Sequence, residues 1–359
     1  MSWVLAFVGF ALLIVLHEFG HFIAAKAVGM RVERFSLFFG PMLFKFRRGE
    51  TEYGIAAIPL GGYVKISGMN PHEELPPEVQ HRAYYRQKTW KRIVVISAGP
   101  AMNILVAFVI LFGIYIGHGK ATTIDRVDQV TKNSPAASVL RAGDRIVAVD
   151  GVRGDPVALR ERIASHGCAG GEKRDGCDAA TPAVLTVQRG DRTFTTSLRP
   201  RYSDEAKRPL VGVVFDVELS GYPIPKAAEV TVTRMWDITT QTVSALGRVF
   251  VSAKARNEVS GVVGSYEATR QSFDFDMTQA LFVLALISLS LAIVNLFPFL
   301  PLDGGHIFWA LAEKIRGRPI PFSVLERAGV VGFVLIILLF AIGLSNDIER
   351  LRGAGFGVQ

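Results

Sequence analysis

Four long apolar stretches limit what this chain can become. They run from about Trp3 to Ala25, Ile93 to Ile116, Met277 to Phe299 and Ala328 to Leu344. A helix needs roughly 20 apolar residues to cross a bilayer core, so the first three suffice and the last needs its flanks. Lipid offers no partner to a backbone N–H or C=O, so each stretch must close its own hydrogen bonds as a helix. Half of the 359 residues are hydrophobic, as a polytopic membrane protein requires. The first stretch could pass for a signal peptide. It has no basic segment ahead of it, however, and His17-Glu18 interrupts the apolar run, so it reads as a retained span.

The net charge is +8, but its carriers flank the spans and do not gather in one basic motif with aromatics. No nucleic-acid partner is therefore expected; the lipid bilayer is. Arg31, Arg34, Lys45, Arg47, Arg48, Arg82, Arg86, Lys88, Lys91 and Arg92 lie between the first two spans. Lys314, Arg316, Arg318 and Arg327 lie between the last two. The positive-inside tendency puts both loops in the cytoplasm, and both termini and the long central region outside. The second loop carries more weight, because the rule holds best for short loops.

Inside the first span stands His17-Glu18-Phe19-Gly20-His21. The two histidines are one helical turn apart on the same face. Two neutral imidazoles so placed can bind one zinc ion, and Glu18 beside them could take a proton from activated water. The pattern is short and also arises by chance, and a structural alternative pairs Glu18 inside a helix bundle. The setting favours chemistry: an ionisable side chain at bilayer depth costs about 2.5–3.5 kcal/mol on insertion scales and is retained for function.

A second cluster ends the third span: Asn295-Leu296-Phe297-Pro298-Phe299-Leu300-Pro301-Leu302-Asp303-Gly304-Gly305-His306. Two prolines cannot sit inside a regular helix, so the chain must break there. Asp303 is then a carboxylate near membrane depth that needs a partner. Zinc would be one, with Asp303 as third ligand and a fourth position left for water. Alternatively Asp303 caps the helix starting near Gly304 and binds no metal.

Between the first two spans, Leu43–Phe46, Glu52–Ile58 and Tyr63–Ile66 read as short strands separated by Gly49 and by Pro59-Leu60-Gly61-Gly62. Phe35, Leu37, Phe38, Phe39, Met42, Leu43 and Phe44 make this loop apolar enough to dip into the membrane, where its strand edge could pair with an extended substrate. A small soluble hairpin subdomain is the alternative. Asn70 to Gln87, with Pro71, Pro76 and Pro77, reads as a surface loop. In the second span, Gly99-Pro100-Ala101-Met102-Asn103 offers a kink, small residues for close helix contact, and an amide that can bond across helices; packing alone would account for all three.

The central region reads as β-rich. Ser134-Pro135-Ala136-Ala137 could start a helix ended by Leu140-Arg141-Ala142-Gly143-Asp144, and Arg145–Val149 is a strand closed at Asp150-Gly151. This resembles a PDZ domain. The resemblance implies a second helix over Val157–Ile163, closing strands at Ala183–Gln188 and Thr193–Leu198, and binding of an extended peptide by strand addition. A PDZ-shaped spacer without a ligand is equally open. Gly167–Asp178 would be an added loop holding Cys168 and Cys177, which could be bonded or free; no other ligand pair accompanies them, so they do not read as a zinc site. From Lys226 to Phe250, the apolar positions Val232, Met235, Trp236, Val243, Leu246 and Phe250 recur at helical spacing. That suits a helix on the outer membrane surface or one packed on the PDZ-like domain.

Taken together, the His17–His21 motif, the Gly61-Gly62-Tyr63-Val64 loop, Gly99–Asn103, a PDZ region between spans two and three, and Asn295–Gly305 resemble the site-2 protease family of intramembrane zinc metalloproteases, bacterial RseP type. That resemblance implies that His17, His21 and Asp303 bind zinc and Glu18 is the general base. It also implies that Asn295, with the Gly61, Gly62 and Tyr63 loop, contacts substrate. The family pattern Asn-x-x-Pro-x-Pro-x-x-Asp-Gly is shifted here, its second proline falling one place later at Pro301, while Asp303 keeps its offset from Asn295. RseP-type members often carry two PDZ domains; the length here accommodates one.

The expected fold is a polytopic α-helical membrane protein with four transmembrane helices, a membrane-associated β-hairpin loop and an inserted extracytoplasmic PDZ-like β-rich domain. Its parts are a first membrane half (1–120), the PDZ-like domain (121–218), an amphipathic linker helix region (219–274) and a second membrane half (275–359). The expected activity is zinc-dependent cleavage of single-span membrane proteins in a bacterial inner membrane, with anti-sigma factors or remnant signal peptides as the implied substrates. The rivals are a non-catalytic membrane adaptor working through its PDZ-like domain and, more weakly, a transporter, for which no inverted repeat is evident.

Overall fold

The computed structural model describes residues 1–70, 73–171, 173–249 and 251–353. Pro71 of the expected surface loop and Phe250 of the amphipathic pattern lie outside the described residues, as do the side chains of Pro59 and Leu60. In chain order, α1 (Ser2–Ala27) leads into β1 (Val32–Arg48), β2 (Thr51–Ile66), a short α2 (Pro77–Gln80) and α3 (Thr89–His118). The central part holds β3 (Lys120–Val130), β4 (Arg145–Val149), β5 (Val152–Arg153), α4 (Pro156–Ala164), β6 (Ala183–Arg189), β7 (Arg192–Leu198), β8 (Arg201–Ser203), β9 (Arg208–Leu210) and β10 (Val213–Ser220). The last part is helical: α5 (Ile224–Val249), α6 (Ala253–Glu258), α7 (Val262–Phe275), α8 (Met277–Asn295), α9 (Asp303–Arg316) and α10 (Phe322–Arg352). Two units result, Met1–Tyr115 with Ile224–Gln359, and Ile116–Pro223.

Each of the four apolar stretches forms one helix long and apolar enough to cross a membrane: α1, α3, α8 and α10. Their bounds correct the sequence-based ones. α8 stops at Asn295 instead of continuing to Phe299, because Pro298 cannot donate to a helical ladder and disfavours helix in the residue before it. α10 extends well past both ends of the apolar run, over 31 residues. α9 closes at Gly317 in the left-handed region, φ +72°, a conformation that glycine adopts without penalty.

β1 and β2 form one curled ribbon where several short strands are expected. Residues 34–37 pair on one side with Gly62–Lys65 and on the other with Glu52–Ile55, and Glu52–Ala56 pair again with Met42–Arg47. Gly54 permits the curl, since a Cβ there would strike the Phe44 carbonyl. The 62–65 segment becomes one edge of this folded sheet.

The two ends of the membrane unit differ. At one end, Lys91 Nζ donates to Val28 O at 2.8 Å, Arg82 bridges Glu50 at 2.7 Å, and Arg92 pairs with Glu313 at 2.6 Å. At the other, Tyr266 donates to the Trp3 carbonyl at 2.8 Å. There the buried Asp347 of α10 accepts from the N–H groups of Gly261 and Gly264 at 3.1 and 2.8 Å, filling the bonds that the start of α7 leaves open. Along the side, α5 sets Met235 and Ile238 against Ala107 of α3 and Leu286, Leu289 and Ile293 of α8. Val232, Trp236 and Val243 stay exposed. α5 is thus anchored laterally on two spans, a placement its periodicity alone does not choose.

In the other unit, strands run in the order β10-β3-β4-β6-β7, with β5 added to β4 and β8 paired to β9. Ile146, Val149, Leu159, Ile163, Leu185, Val187 and Phe215 fill the core under α4. The expected strands and second helix are present. The expected helix from Ser134 is not: 134–140 is a series of turns, and the Ala136 N–H donates to Val211 O at 2.9 Å. Cys168 and Cys177 form a disulfide across the added loop. Arg189 reaches the buried Asp144 at 2.7 Å, and its guanidinium holds that carboxyl below the usual aspartate range.

Candidate metal centre

His17 and His21 are both buried on the face of α1 that meets α3. Two glycines allow the approach. A Cβ on Gly20 would strike the Ala98 carbonyl, and one on Gly99 would strike His21 Nε2 and lie 2.9 Å from His17 Cε1. The space the imidazoles occupy is therefore the space residue 99 leaves empty. Each ring is held at its far nitrogen: His21 Nδ1 lies 2.8 Å from Val95 O, and His17 Nδ1 lies 3.1 Å from Asn103 Nδ2.

Asp303 arrives from the broken end of α8. Across residues 296–302 the chain folds tightly on α9; a Cβ on Gly304 would strike the carbonyls of Leu296 and Phe297, and one on Gly305 would lie 2.6 Å from Phe299 C. The Leu300–Pro301 peptide is cis. α10 packs onto the same segment through Gly332, where a Cβ would strike the Leu300 carbonyl. Asp303 does not cap α9, as one alternative would have it: Leu302 holds the capping position and no side chain caps the helix.

The three side chains meet. His17 Nε2 and His21 Nε2 are 3.3 Å apart, and Asp303 Oδ2 lies 3.3 Å from each. Ligand bonds of about 2.0–2.1 Å in tetrahedral geometry set donors about 3.3–3.4 Å apart, so this triangle is the size zinc requires. Asp303 Oδ2 is buried with no hydrogen-bond partner, which is costly without a cation. Two imidazoles and a carboxylate are also the donor set zinc prefers at a catalytic site. Among the described residues these three are the group of side chains able to hold a metal ion.

Glu18, half-buried, faces the ribbon. A Cβ on Gly62 would lie 3.1 Å from Glu18 Cγ and 3.2 Å from Ile14 Cγ2. The 62–65 edge thus runs past the carboxylate, and residue 62 has to be small. Gly61, at φ +84°, turns the chain into that edge. Tyr63 points its hydroxyl at Arg34, 3.1 Å away, and stacks on Phe39. Asn295 is the last residue of α8, and the structure records no hydrogen bond from it to the cluster. The Val95 carbonyl, and Ser288, whose hydroxyl donates to the Asn103 carbonyl at 2.9 Å, were not legible in the sequence, since neither residue type signals a metal site.

Residues 5–339 match Peptidase family M50. Zinc metalloprotease Rip1 of Mycobacterium bovis and that of Mycobacterium tuberculosis are each 31% identical to the chain, over 97% of its length and 98% of theirs. Among solved structures, the PDZ domain of the SdrC-like protein from Listeria innocua matches 26% of the chain and 92% of its own length, at 20% identity and a TM-score of 0.21.

Proposed function

The chain belongs to peptidase family M50 and is a zinc metalloprotease with four membrane-span helices, and from that premise we propose that His17, His21 and Asp303 hold the zinc while Glu18 acts as general base. The observation that carries this reading is the triangle of donors 3.3 Å on a side, one of them a buried and otherwise unpaired carboxylate oxygen. Three protein donors would leave room on a bound zinc for water or substrate.

Bound zinc supplies the Lewis acidity that activates water and polarises the scissile carbonyl. Glu18 takes the proton lost in the attack and returns it to the leaving amine. The carboxylate lies beside the ribbon edge, where Gly62 comes close to Glu18 Cγ. That edge, Gly61 to Tyr63, pairs with substrate drawn out as an extended strand, the form a transmembrane helix must take before its peptide bonds are open to attack. Asn295, where α8 gives way to the break, holds the substrate backbone near the scissile bond.

The substrates are single-span membrane proteins cut within or near the bilayer, of the kind of a membrane-bound anti-sigma factor already trimmed outside, or a remnant signal peptide. The enzyme resides in the inner membrane. The end bearing Lys26, Arg82, Lys91 and Arg92 faces the cytoplasm, supported by the positive-inside tendency. The PDZ-like segment 121–218 then lies outside as a size filter or a dock for extended peptide, and 219–274 links it to the second membrane half.

The test is cleavage of a model single-span substrate by purified wild-type protein and by Glu18→Gln, with zinc measured on both. Cleavage by the wild type alone, with about one zinc per chain in each, is expected. Zinc-free protein that fails to cleave in both detergent and lipid would turn the reading toward an adaptor working through its PDZ-like segment.

A further inference from the structure

Asn103 is wholly buried on α3. Its Nδ2 lies 3.1 Å from His17 Nδ1, and its Oδ1 is buried without a hydrogen-bond partner. Its backbone carbonyl accepts from Ser288 Oγ at 2.9 Å, which ties the residue to α8. A neutral imidazole carries a proton on one nitrogen and a lone pair on the other, and what each nitrogen faces decides which is which. At His21 the choice is forced. A carbonyl can only accept, so Val95 O takes the Nδ1 proton and leaves the Nε2 lone pair toward the other donors.

At His17 the facing group is an amide, which can turn either its NH2 or its oxygen to the ring. With NH2 toward Nδ1, the ring proton sits on Nε2, 3.3 Å from Asp303 Oδ2. That arrangement suits a site without metal. With the oxygen toward Nδ1, the proton sits on Nδ1 and the Nε2 lone pair joins the donor triangle. A half-turn of one amide therefore separates a His17 that can ligate from one that cannot.

We propose that Asn103 is the positioning residue for His17, donating to Nδ1 in the metal-free protein and accepting the Nδ1 proton when zinc is held. This rests on the reading of His17 as a zinc ligand. It accounts for an amide at a position where a carboxylate could serve only the loaded state and an apolar side chain neither. It also accounts for the unpaired Oδ1: a single partner ring leaves one amide atom over in either orientation.

The test uses the full chain carrying Glu18→Gln, chosen because it should not turn over on the proposed reading. Zinc dissociation constants are read by competition with a chromophoric chelator, and the visible bands of the cobalt-loaded protein report ligand geometry. Asn103→Leu is expected to raise the zinc Kd about 10–100-fold and to change the cobalt bands, the usual cost of losing a partner to a ligating histidine. Asn103→Asp, an acceptor in the same place, stays within about threefold of the parent, and so does Ser288→Ala, which frees the Asn103 backbone but leaves its amide. The proposal is overturned if the leucine variant binds like the parent, if aspartate is as weak as leucine, or if Ser288→Ala is as weak as either, since packing would then explain the loss. Should the leucine variant not fold, Asn103→Ala is judged by the same criteria. A parent that binds no zinc would remove the reading of the centre itself, a result distinct from a parent that binds normally beside an unaffected leucine variant.

Discussion

The two units of this protein cohere by opposite means. The β-rich unit buries branched aliphatic side chains, Ile146, Val149, Leu159, Leu185 and Val187 among them, in one continuous core. Water drives that burial at about 25 cal/mol per Å² of apolar surface. The membrane unit has no such force between its spans, because lipid tails are as apolar as leucine. Beside the apolar contacts of α5 with α3 and α8, its helices meet where side chains are missing or polar: Gly20 on the Ala98 carbonyl, Gly99 on two imidazoles, Gly332 on the Leu300 carbonyl, Ser288 on the Asn103 carbonyl, Asp347 on two N–H groups. Close approach and polar bonding add to the apolar packing there. In the membrane unit, therefore, Gly20, Gly99 and Gly332 both bring segments together and shape the centre, whereas the core of the β-rich unit contributes no residue to it.

The sharpest way to break this contrast is Gly99→Ala. A single methyl group, harmless in most cores, would displace both rings. It should remove most of the zinc and lower cleavage more than 100-fold, since misplacement by about 1 Å costs on that order. Zinc retained at one per chain, read by metal analysis, would mean that the rings can move aside and that close packing does not set the site. The counterpart is Leu185→Ala, which opens a cavity in the aliphatic core. It should cost about 2–5 kcal/mol in the stability of residues 116–223, read by hydrogen exchange on the full chain, and leave the zinc content unchanged. A loss of zinc there would show that the units are coupled.

Smaller effects sharpen the comparison. Ser288→Ala should cost only about 0.6 kcal/mol in the membrane unit, because hydrogen bonds between spans are worth little more than those that the separated spans would find elsewhere. Thermal unfolding in detergent measures it, and a loss several times larger would make polar bonding, not close approach, the dominant glue. The smallest effect belongs to pH. Asp144 is held below its ordinary range by Arg189, so its contribution is present above the unfolded value of about 3.9 and fades as pH falls through the folded one. Exchange in β4 and β6, corrected for its intrinsic rate, should therefore speed up from pH 5 toward pH 3, and Asp144→Asn should flatten that dependence.

The same contrast governs what was legible in the sequence. Hydropathy marked the four spans, since length and apolarity alone decide them, and the prolines at 298 and 301 announced the break. In the β-rich unit the strand at 145–149 followed from its residues and the turn after it, and the closing strands at 183–198 from the PDZ resemblance. His17, Glu18, His21 and Asp303 stood out as charges where charge is costly. Tertiary bonding was out of reach. The turns at 134–140 lie against Val211, whose carbonyl accepts the Ala136 N–H from over 70 residues away, a contact no local pattern contains. The curl of β1 and β2 depends on pairing one segment on both sides. Asn103 could be read as a residue able to bond across helices, but not as facing His17; that requires knowing that Gly20 and Gly99 bring α1 and α3 together.

The distance along the chain between its donors gives the centre a history in time. On the proposed assignment two ligands come from residues 17 and 21 and the third from residue 303, buttressed by Gly332 beyond it. At a synthesis rate of about 5–20 residues per second, roughly a quarter of a minute to a minute passes between them. During that interval a nascent chain carries two imidazoles without the carboxylate that completes them. On that assignment the centre is incomplete until Asp303, and the segment that Gly332 braces, have been made.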